Sequence, residues 1–259
     1  MSRDQADLSP ATLRRDRIWA VVTVGAGAPA DPPPGVVVLS DTDFQERHLG
    51  RIDATVAAGF EAGPVASLGK RLFDVIMSLL LLALALPLMA FTAMAIACDS
   101  PGPVLYRQTR IGLAGRPFML LKFRSMTTDA EAGGQPRWAQ KHDPRVTRVG
   151  RFIRQTRIDE LPQLLNVLRG DMSLVGPRPE RPHFVGELAR EIPGYETRTR
   201  VKPGITGWAQ VNYPYGASVE DAREKHAYDL YYLKHRGFLL DLLILFGTVR
   251  VILFGEGAR

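Results

Sequence analysis

The chain has 259 residues, 46% of them hydrophobic and 23% charged, and a formal net charge of +6. That length and apolar content allow one sizeable core with extensions and exclude a disordered composition, while the basic balance suits nucleic acid, an anionic membrane surface or phosphorylated substrates equally. A single cysteine, Cys98, excludes an intrachain disulfide and a Cys-x-x-Cys metal site, and fits a reducing cytoplasm.

Residues 1–69 read as an N-terminal extension, in part disordered. Arg17 to Val24 and Val36 to Leu39 predict two short strands, separated by an Ala/Pro/Gly-rich connection with Pro32, Pro33 and Pro34. No apolar signal-peptide core follows Met1. Gly25 and Gly27 make an isolated Gly-x-Gly, too little for a nucleotide loop.

Val75 to Cys98 is the longest apolar run, with no charge between Asp74 and Asp99, and its length suits a membrane-inserted helix at 70–99. Lys70 and Arg71 precede it and a basic domain follows, so both flanks favour the cytoplasmic side. Pro87 stands mid-run, where it removes a helix hydrogen bond and invites a kink. A bent helix returning to its own side and a straight single-pass anchor both remain open at this point.

From Ser100 the pattern becomes that of a soluble α/β domain, 100–259. Ser100 to Pro103 breaks the helix, Val104 to Arg107 and Phe118 to Arg124 predict strands around a Gly112 to Gly115 turn, and Thr128 to Asp143 reads as a mobile loop. Near the C-terminus, Leu230 to Phe254 is apolar but carries Asp241 and Arg250, which disfavour a span. An amphipathic helix at a membrane interface fits, with Tyr231, Tyr232, Lys234, His235 and Arg236 meeting headgroups; packing against the domain fits as well.

The candidate chemistry centres on Asp159 and Glu160, just ahead of Pro162. Pro162 is tolerated only in a first helical turn, so the pair is expected at or just before a helix N-terminus, where free N–H groups and the macrodipole favour anions and phosphate. Plain capping is the alternative, because Thr156 followed by Asp159 resembles a capping box. Arg145, Arg148, Arg151, Arg154 and Arg157 approach the pair at three-residue steps, with Arg169 and Arg178 beyond it. Such a series is either a solvated basic face or a set of bidentate phosphate ligands.

Ordered motifs then carry a family resemblance over about Lys70 to Arg259. They are Lys-Arg-Leu-Phe-Asp at 70–74, Ser-Pro-Gly-Pro-Val at 100–104, Lys-Phe-Arg-Ser-Met at 122–126 and Asp-Pro-Arg-Val-Thr-Arg-Val-Gly at 143–150. Asp-Glu-Leu-Pro-Gln-Leu-Leu-Asn at 159–166, Val-Gly-Pro-Arg-Pro at 175–179 and Lys-Pro-Gly-Ile-Thr-Gly-Trp-Ala-Gln-Val at 202–211 complete the set. The chain resembles the bacterial sugar transferases, the small monotopic phosphoglycosyl transferases, and its 208–216 tract and C-terminal Gly-Glu-Gly-Ala-Arg resemble the exopolysaccharide hexose-transfer branch.

The resemblance implies an α/β (α+β) catalytic domain, mostly helical with short strands, one re-entrant membrane helix and a C-terminal interfacial helix. It implies transfer of a sugar 1-phosphate from a UDP-sugar, glucose or galactose being favoured, to undecaprenyl phosphate at the cytoplasmic face of a bacterial inner membrane. Asp159 would be the nucleophile that carries the phosphosugar, Glu160 the Mg²⁺ ligand, and Arg154, Arg178, Lys122 and Arg124 the phosphate ligands. No nucleic acid partner is expected, and homo-oligomerisation is left open. A noncatalytic membrane-anchored scaffold of polysaccharide assembly is the competing reading. Trp208 and Tyr213 suit either a core or stacking on a base or sugar. His142 suits a solvated loop or phosphate contact, Asp171 a turn at Gly170, and Gly204 and Gly207 backbone conformation.

Overall fold

The computed structural model describes residues 20–23, 37–53, 68–128, 130, 143–214, 216 and 218–254. His142, most of the 128–143 loop, the Pro32 to Pro34 connection, Gly25, Gly27 and the C-terminal pentapeptide lie outside the described residues. The chain divides into two compact units, Met1–Asp53 and Ala54–Arg259.

In the first unit, β1 (Ala20–Thr23) pairs in parallel with β2 (Val37–Ser40), where the β-branched valines predict strands. Ser40 then caps α1 (Asp41–Phe44) by accepting from Asp43 N at 3.0 Å. A π-helical turn, Gln45–Leu49, follows and ends at Gly50 with φ +62°.

The second unit begins with α2, Leu68–Asp99, a helix of 32 residues and so about 48 Å long. Its buried side chains are Asp74, Ser78, Thr92 and Ile96, whereas Leu68, Leu72, Leu80, Leu84, Phe91 and Met94 are exposed. Residues 74 and 92 lie about five turns apart, so the buried positions form one stripe. The polar groups face protein and the apolar ones face outward, the inverse of an ordinary surface helix.

Both ends of α2 are tied to the same unit. At the start, Arg71 donates to Val167 O at 2.6 Å and Leu168 O at 2.8 Å, and Lys70 bridges Asp74 at 2.7 Å and Asp241 at 2.9 Å. At the far end, Asp99 Oδ2 accepts from Val149 N at 3.0 Å, and Arg124 donates to Ser100 O at 2.7 Å and to Pro101 O.

Next come the hairpin β3 (Leu105–Ile111) and β4 (Pro117–Phe123), antiparallel around a short 3₁₀ turn at Leu113–Gly115 where Ala114 and Gly115 take positive φ. Leu120, Leu121 and Phe123 of β4 are buried. Then follow α3 (Arg148–Gln155), a 3₁₀ turn at Ile158–Glu160 and α4 (Gln163–Arg169). Asn166 of α4 is fully buried and imitates a strand neighbour: its Oδ1 accepts from Leu121 N at 3.0 Å and its Nδ2 donates to Met119 O at 2.8 Å. One side chain thereby fixes α4 against β4.

β5 (Ser173–Val175) pairs in parallel with β6 (Gly204–Thr206), with α5 (Pro182–Glu191) and a 3₁₀ turn at Tyr195–Arg200 between them. After β6 come α6 (Trp208–Asn212), α7 (Val219–His235) and α8 (Phe238–Phe254). The main core gathers Leu120, Leu164, Val167, Met172, Leu174 and Leu233. The described residues are thus mainly helical, with three two-stranded sheets among them.

The apolar stretch from Leu230 is two helices, because the chain turns at Arg236 and Gly237. Tyr232 is not a headgroup contact, since it is buried and donates to Asp241 at 2.9 Å. The polar groups of α8 lie on its inner side, Asp241 on Lys70 and Thr248 on Thr206 at 2.7 Å. Its outer side presents Phe238, Leu239, Leu243, Phe246, Val249 and Leu253.

Close backbone approach explains the glycines of the 202–211 tract. A Cβ on Gly204 would lie 2.1 Å from Gly176 N, and one on Gly207 would lie 2.2 Å from Gly176 O. Gly204→Ala is therefore expected to cost about 1–3 kcal/mol by overpacking, with a matching fall in Tm. Gly186→Ala, in α5 with nothing within 4 Å of its added methyl, should be neutral or stabilising. Equal Tm changes in the two variants would refute the close-approach explanation.

Candidate active site

The 3₁₀ turn Ile158–Glu160 sits between two helices because the chain cannot continue α3. Thr156 ends α3, its hydroxyl donating back to Phe152 O at 2.8 Å, and Arg157 follows with φ +59°. A non-glycine residue in that region costs about 1 kcal/mol or more, and it turns the next two side chains inward. Thr156 is therefore not an N-cap, and Pro162 caps α4 with helical angles, so the carboxylates stand ahead of the helix rather than within its first turn. The capping reading by Thr156 fails, and the pair stands just ahead of the α4 N-terminus.

Asp159 and Glu160 are both buried, at 7% and 8% exposure, in the wall of a cleft of about 470 Å³. Their environments differ. Glu160 Oε1 accepts from Lys122 Nζ at 3.1 Å and Arg178 Nη2 at 2.6 Å, Oε2 accepts from Arg178 Nη1 at 3.3 Å, and Arg157 stands 3.8 Å away. Burial works to raise the Glu160 carboxyl, but Arg178 and Lys122 overcome it and hold it well below the usual carboxylate range. Asp159 has no hydrogen bond or ion pair to its side chain among the described residues. Burial pushes its carboxyl up, Lys122 opposing and the neighbouring Glu160 charge adding to the rise. Two adjacent acids thus separate into a clamped anion and an unclamped one.

The clamp is itself held. Lys122 reaches the cleft from β4, whose neighbours Leu121 and Phe123 alternate into the core. Arg178 lies in the strap Pro177-Arg178-Pro179, where two prolines prevent regular pairing. Each carbonyl along it takes a separate donor: Pro177 O from Gly204 N at 2.9 Å, Arg178 O from Arg198 Nη2 at 2.9 Å, Pro179 O from Arg110 Nη1 at 3.1 Å and Glu180 O from Ile111 N at 2.9 Å. The strap is both a rigid turn and a device that aims Arg178.

Of the residues expected from sequence, Asp159, Glu160, Arg154, Arg178, Lys122 and Arg124 all line the cleft. Arg154 forms no hydrogen bond or ion pair among the described residues and is available to an anion. Arg124 donates one bond from each terminal nitrogen to the Ser100 and Pro101 carbonyls and so also holds the end of α2. Arg148, Arg151 and Arg169 are exposed and lie outside the cleft wall, because three-residue steps drift around a helix. Trp208 packs on the core and stacks on Tyr231 at 5.7 Å, while Tyr213 lines the cleft. Asp171 accepts from Asn166 at 3.2 Å within its turn. Arg110, Arg181, Arg198 and Lys225 also line the cleft and carried no short-range sequence signal.

A cleft crowded with arginines around one unclamped carboxylate suits a substrate with adjacent phosphates. The Bacterial sugar transferase family model matches residues 65–255. The chain belongs to that family. It is 50% identical over 196 residues to a UDP-N-acetylgalactosamine-undecaprenyl-phosphate N-acetylgalactosaminephosphotransferase of Aeromonas hydrophila, covering 76% of this chain and 46% of that protein. It is 47% identical over 196 residues to an undecaprenyl-phosphate glucose phosphotransferase of Komagataeibacter xylinus, covering 74% of this chain and 37% of that protein. A UDP-glucose:undecaprenyl-phosphate glucose-1-phosphate transferase of Caulobacter vibrioides (strain ATCC 19089 / CIP 103742 / CB 15) is 48% identical over 193 residues, 74% of this chain and 72% of that protein. The bacterial sugar transferase described here therefore spans less than half the length of the first two relatives.

The electrostatic division of the pair is testable. Glu160→Gln removes the charge that helps raise Asp159 and releases Lys122 and Arg178 to act on it, so both effects lower the Asp159 pKa. Carboxyl NMR of Asp159 should show ionisation beginning at lower pH in the variant than in the parent. An unchanged or raised midpoint would refute the coupling.

Proposed function

We propose that this bacterial sugar transferase moves a sugar 1-phosphate from a UDP-sugar to undecaprenyl phosphate through an aspartyl intermediate. The observation that carries the reading is the unclamped, buried Asp159 beside the clamped Glu160 in a basic cleft. The names of three relatives support the substrates, two of them naming glucose and one N-acetylgalactosamine. They leave the sugar here open between those classes.

Asp159 Oδ attacks the sugar-bearing phosphorus; the new O–P bond replaces the bridging P–O bond, and UMP leaves with that bond's electron pair. A phosphate oxygen of the lipid then attacks the same phosphorus, and Asp159 departs as a carboxylate. Splitting the transfer lets one cleft serve a water-soluble donor and a lipid acceptor in turn. Arg154 and Arg178 neutralise the approaching phosphates, as does Lys122, whose ammonium burial has already destabilised.

The donor set also fits Mg²⁺. Glu160 Oε2 accepts only the one long bond from Arg178 among the described residues, so Glu160 would hold the cation together with substrate phosphate. When bound, the cation would draw charge from the diphosphate.

We place α2 and α8 in the cytoplasmic leaflet of the inner membrane, with α2 entering and leaving on one side. The outward apolar faces of both helices support this, as do the ties at both ends of α2. Cysteines introduced singly at Leu68 and Gln108, with Cys98 replaced by serine, should label from the same side of sealed vesicles. Labelling from opposite sides would overturn the placement.

For the chemistry, Asp159→Asn should lower UMP release from UDP-glucose or UDP-N-acetylgalactosamine by about a thousandfold or more while membrane association persists. The parent enzyme, incubated with donor alone, should yield a phosphosugar adduct by intact-protein mass spectrometry. Turnover retained in the variant would refute Asp159 as nucleophile.

A further inference from the structure

Beyond the acid pair the cleft extends into a lobe that the transfer chemistry leaves unused. One face of α7 forms its floor, with Ala222, Lys225 and Asp229 at helical spacing. Phe184 and Leu188 of α5 form one wall, packed with Ala222, and Tyr213 forms the other, its hydroxyl donating to Asp221 of α7 at 3.1 Å. Gln210 of α6 lies one turn before Tyr213 and also lines the cleft. The lobe adjoins the phosphate-handling end, because Arg198 donates both to the Arg178 carbonyl at 2.9 Å and to Asp229 at 2.8 Å.

Gln210 carries the argument. Its Nε2 donates to Ile205 O at 3.1 Å, which fixes the orientation of the amide; the reverse orientation would set two carbonyl oxygens against each other. Its Oε1 is buried and accepts no hydrogen bond among the described residues. A buried acceptor without a donor is costly, so this atom calls for a ligand N–H or O–H. Phosphate, an acceptor here, cannot satisfy it. The other orphaned polar atoms on cleft residues are donors, Arg110 Nε and Arg124 Nε. A hexose hydroxyl would also supply a donor, but Phe184, Leu188 and Tyr213 present aromatic and aliphatic surface that suits a planar ring better. A planar base with one imide N–H between apolar faces fits both features.

Resting on the reading of the donor as a UDP-sugar, we propose that this lobe holds the uracil base, with Gln210 Oε1 accepting from its N3–H and Tyr213 lining one face. Gln210 is then a donor-recognition residue outside the acid pair and its clamp.

The test titrates the full-length protein in detergent with UDP, N3-methyl-UDP and pyrophosphate, for the parent and Gln210→Leu. The parent should bind UDP about tenfold to a hundredfold more tightly than N3-methyl-UDP, from the loss of one buried hydrogen bond. Gln210→Leu should bind both nucleotides equally weakly while its pyrophosphate affinity stays at the parent value, which also reports intact folding. Equal affinity of the parent for UDP and N3-methyl-UDP would overturn the base subsite while leaving the donor reading intact, and that measurement needs no variant. Normal UDP binding by Gln210→Leu, with weakened binding of UDP-glucose alone, would reassign Gln210 to the sugar. Pyrophosphate binding with no UDP binding in the parent would overturn the donor reading itself.

Discussion

The salt bridge between Glu160 and its two cations is the interaction on which the site depends. Lys122 comes from a β-strand, Arg178 from a proline-bounded strap and Glu160 from a 3₁₀ turn, so the clamp joins three separate segments at one carboxylate. Removing one member of so buried a cluster leaves the others uncompensated, which is far more costly than losing a surface pair. The surrounding backbone makes the geometry durable. Asn166 ties α4 to β4, and separate donors fill the carbonyls of the strap.

The clamp also divides the labour between two chemically similar acids. Burial raises both, but only Glu160 lies within salt-bridge distance of Lys122 and Arg178. Asp159 is left as a desolvated carboxylate close to those cations without being bonded to them. That state suits attack on phosphorus: a carboxylate bonded to guanidinium is a poor nucleophile, whereas positive charge nearby still lowers the repulsion met by an approaching diphosphate.

Asp159, Glu160, Lys122, Arg154 and Arg178 were legible because they lie in short, ordered tracts. The capping reading of Thr156 failed because a positive φ at Arg157, invisible in side-chain chemistry, breaks the chain between the two helices. The arginine series misled in a similar way: three-residue spacing looks convergent along the sequence, yet on α3 it sends Arg148 and Arg151 to solvent and Arg154 to the cleft. Arg110 and Arg198 gave no signal at all, since their role is to hold carbonyls of the strap about 20 to 70 residues away. Arg124 lines the cleft and also serves α2, whose final carbonyls need donors once Pro101 ends the turn.

That last assignment links the anchor to the chemistry. α3 and α4 flank the turn that carries Asp159, and α2 touches both: Asp99 bonds to Val149 at the start of α3, and Arg71 holds the last carbonyls of α4. Ile96 also packs with Ile153 and Phe123 beneath the site. Arg157, with its positive φ, lies between the two helices that α2 touches. One helix therefore carries an outward apolar side and, through Arg71, Ile96 and Asp99, contacts with both helices that flank the acid pair.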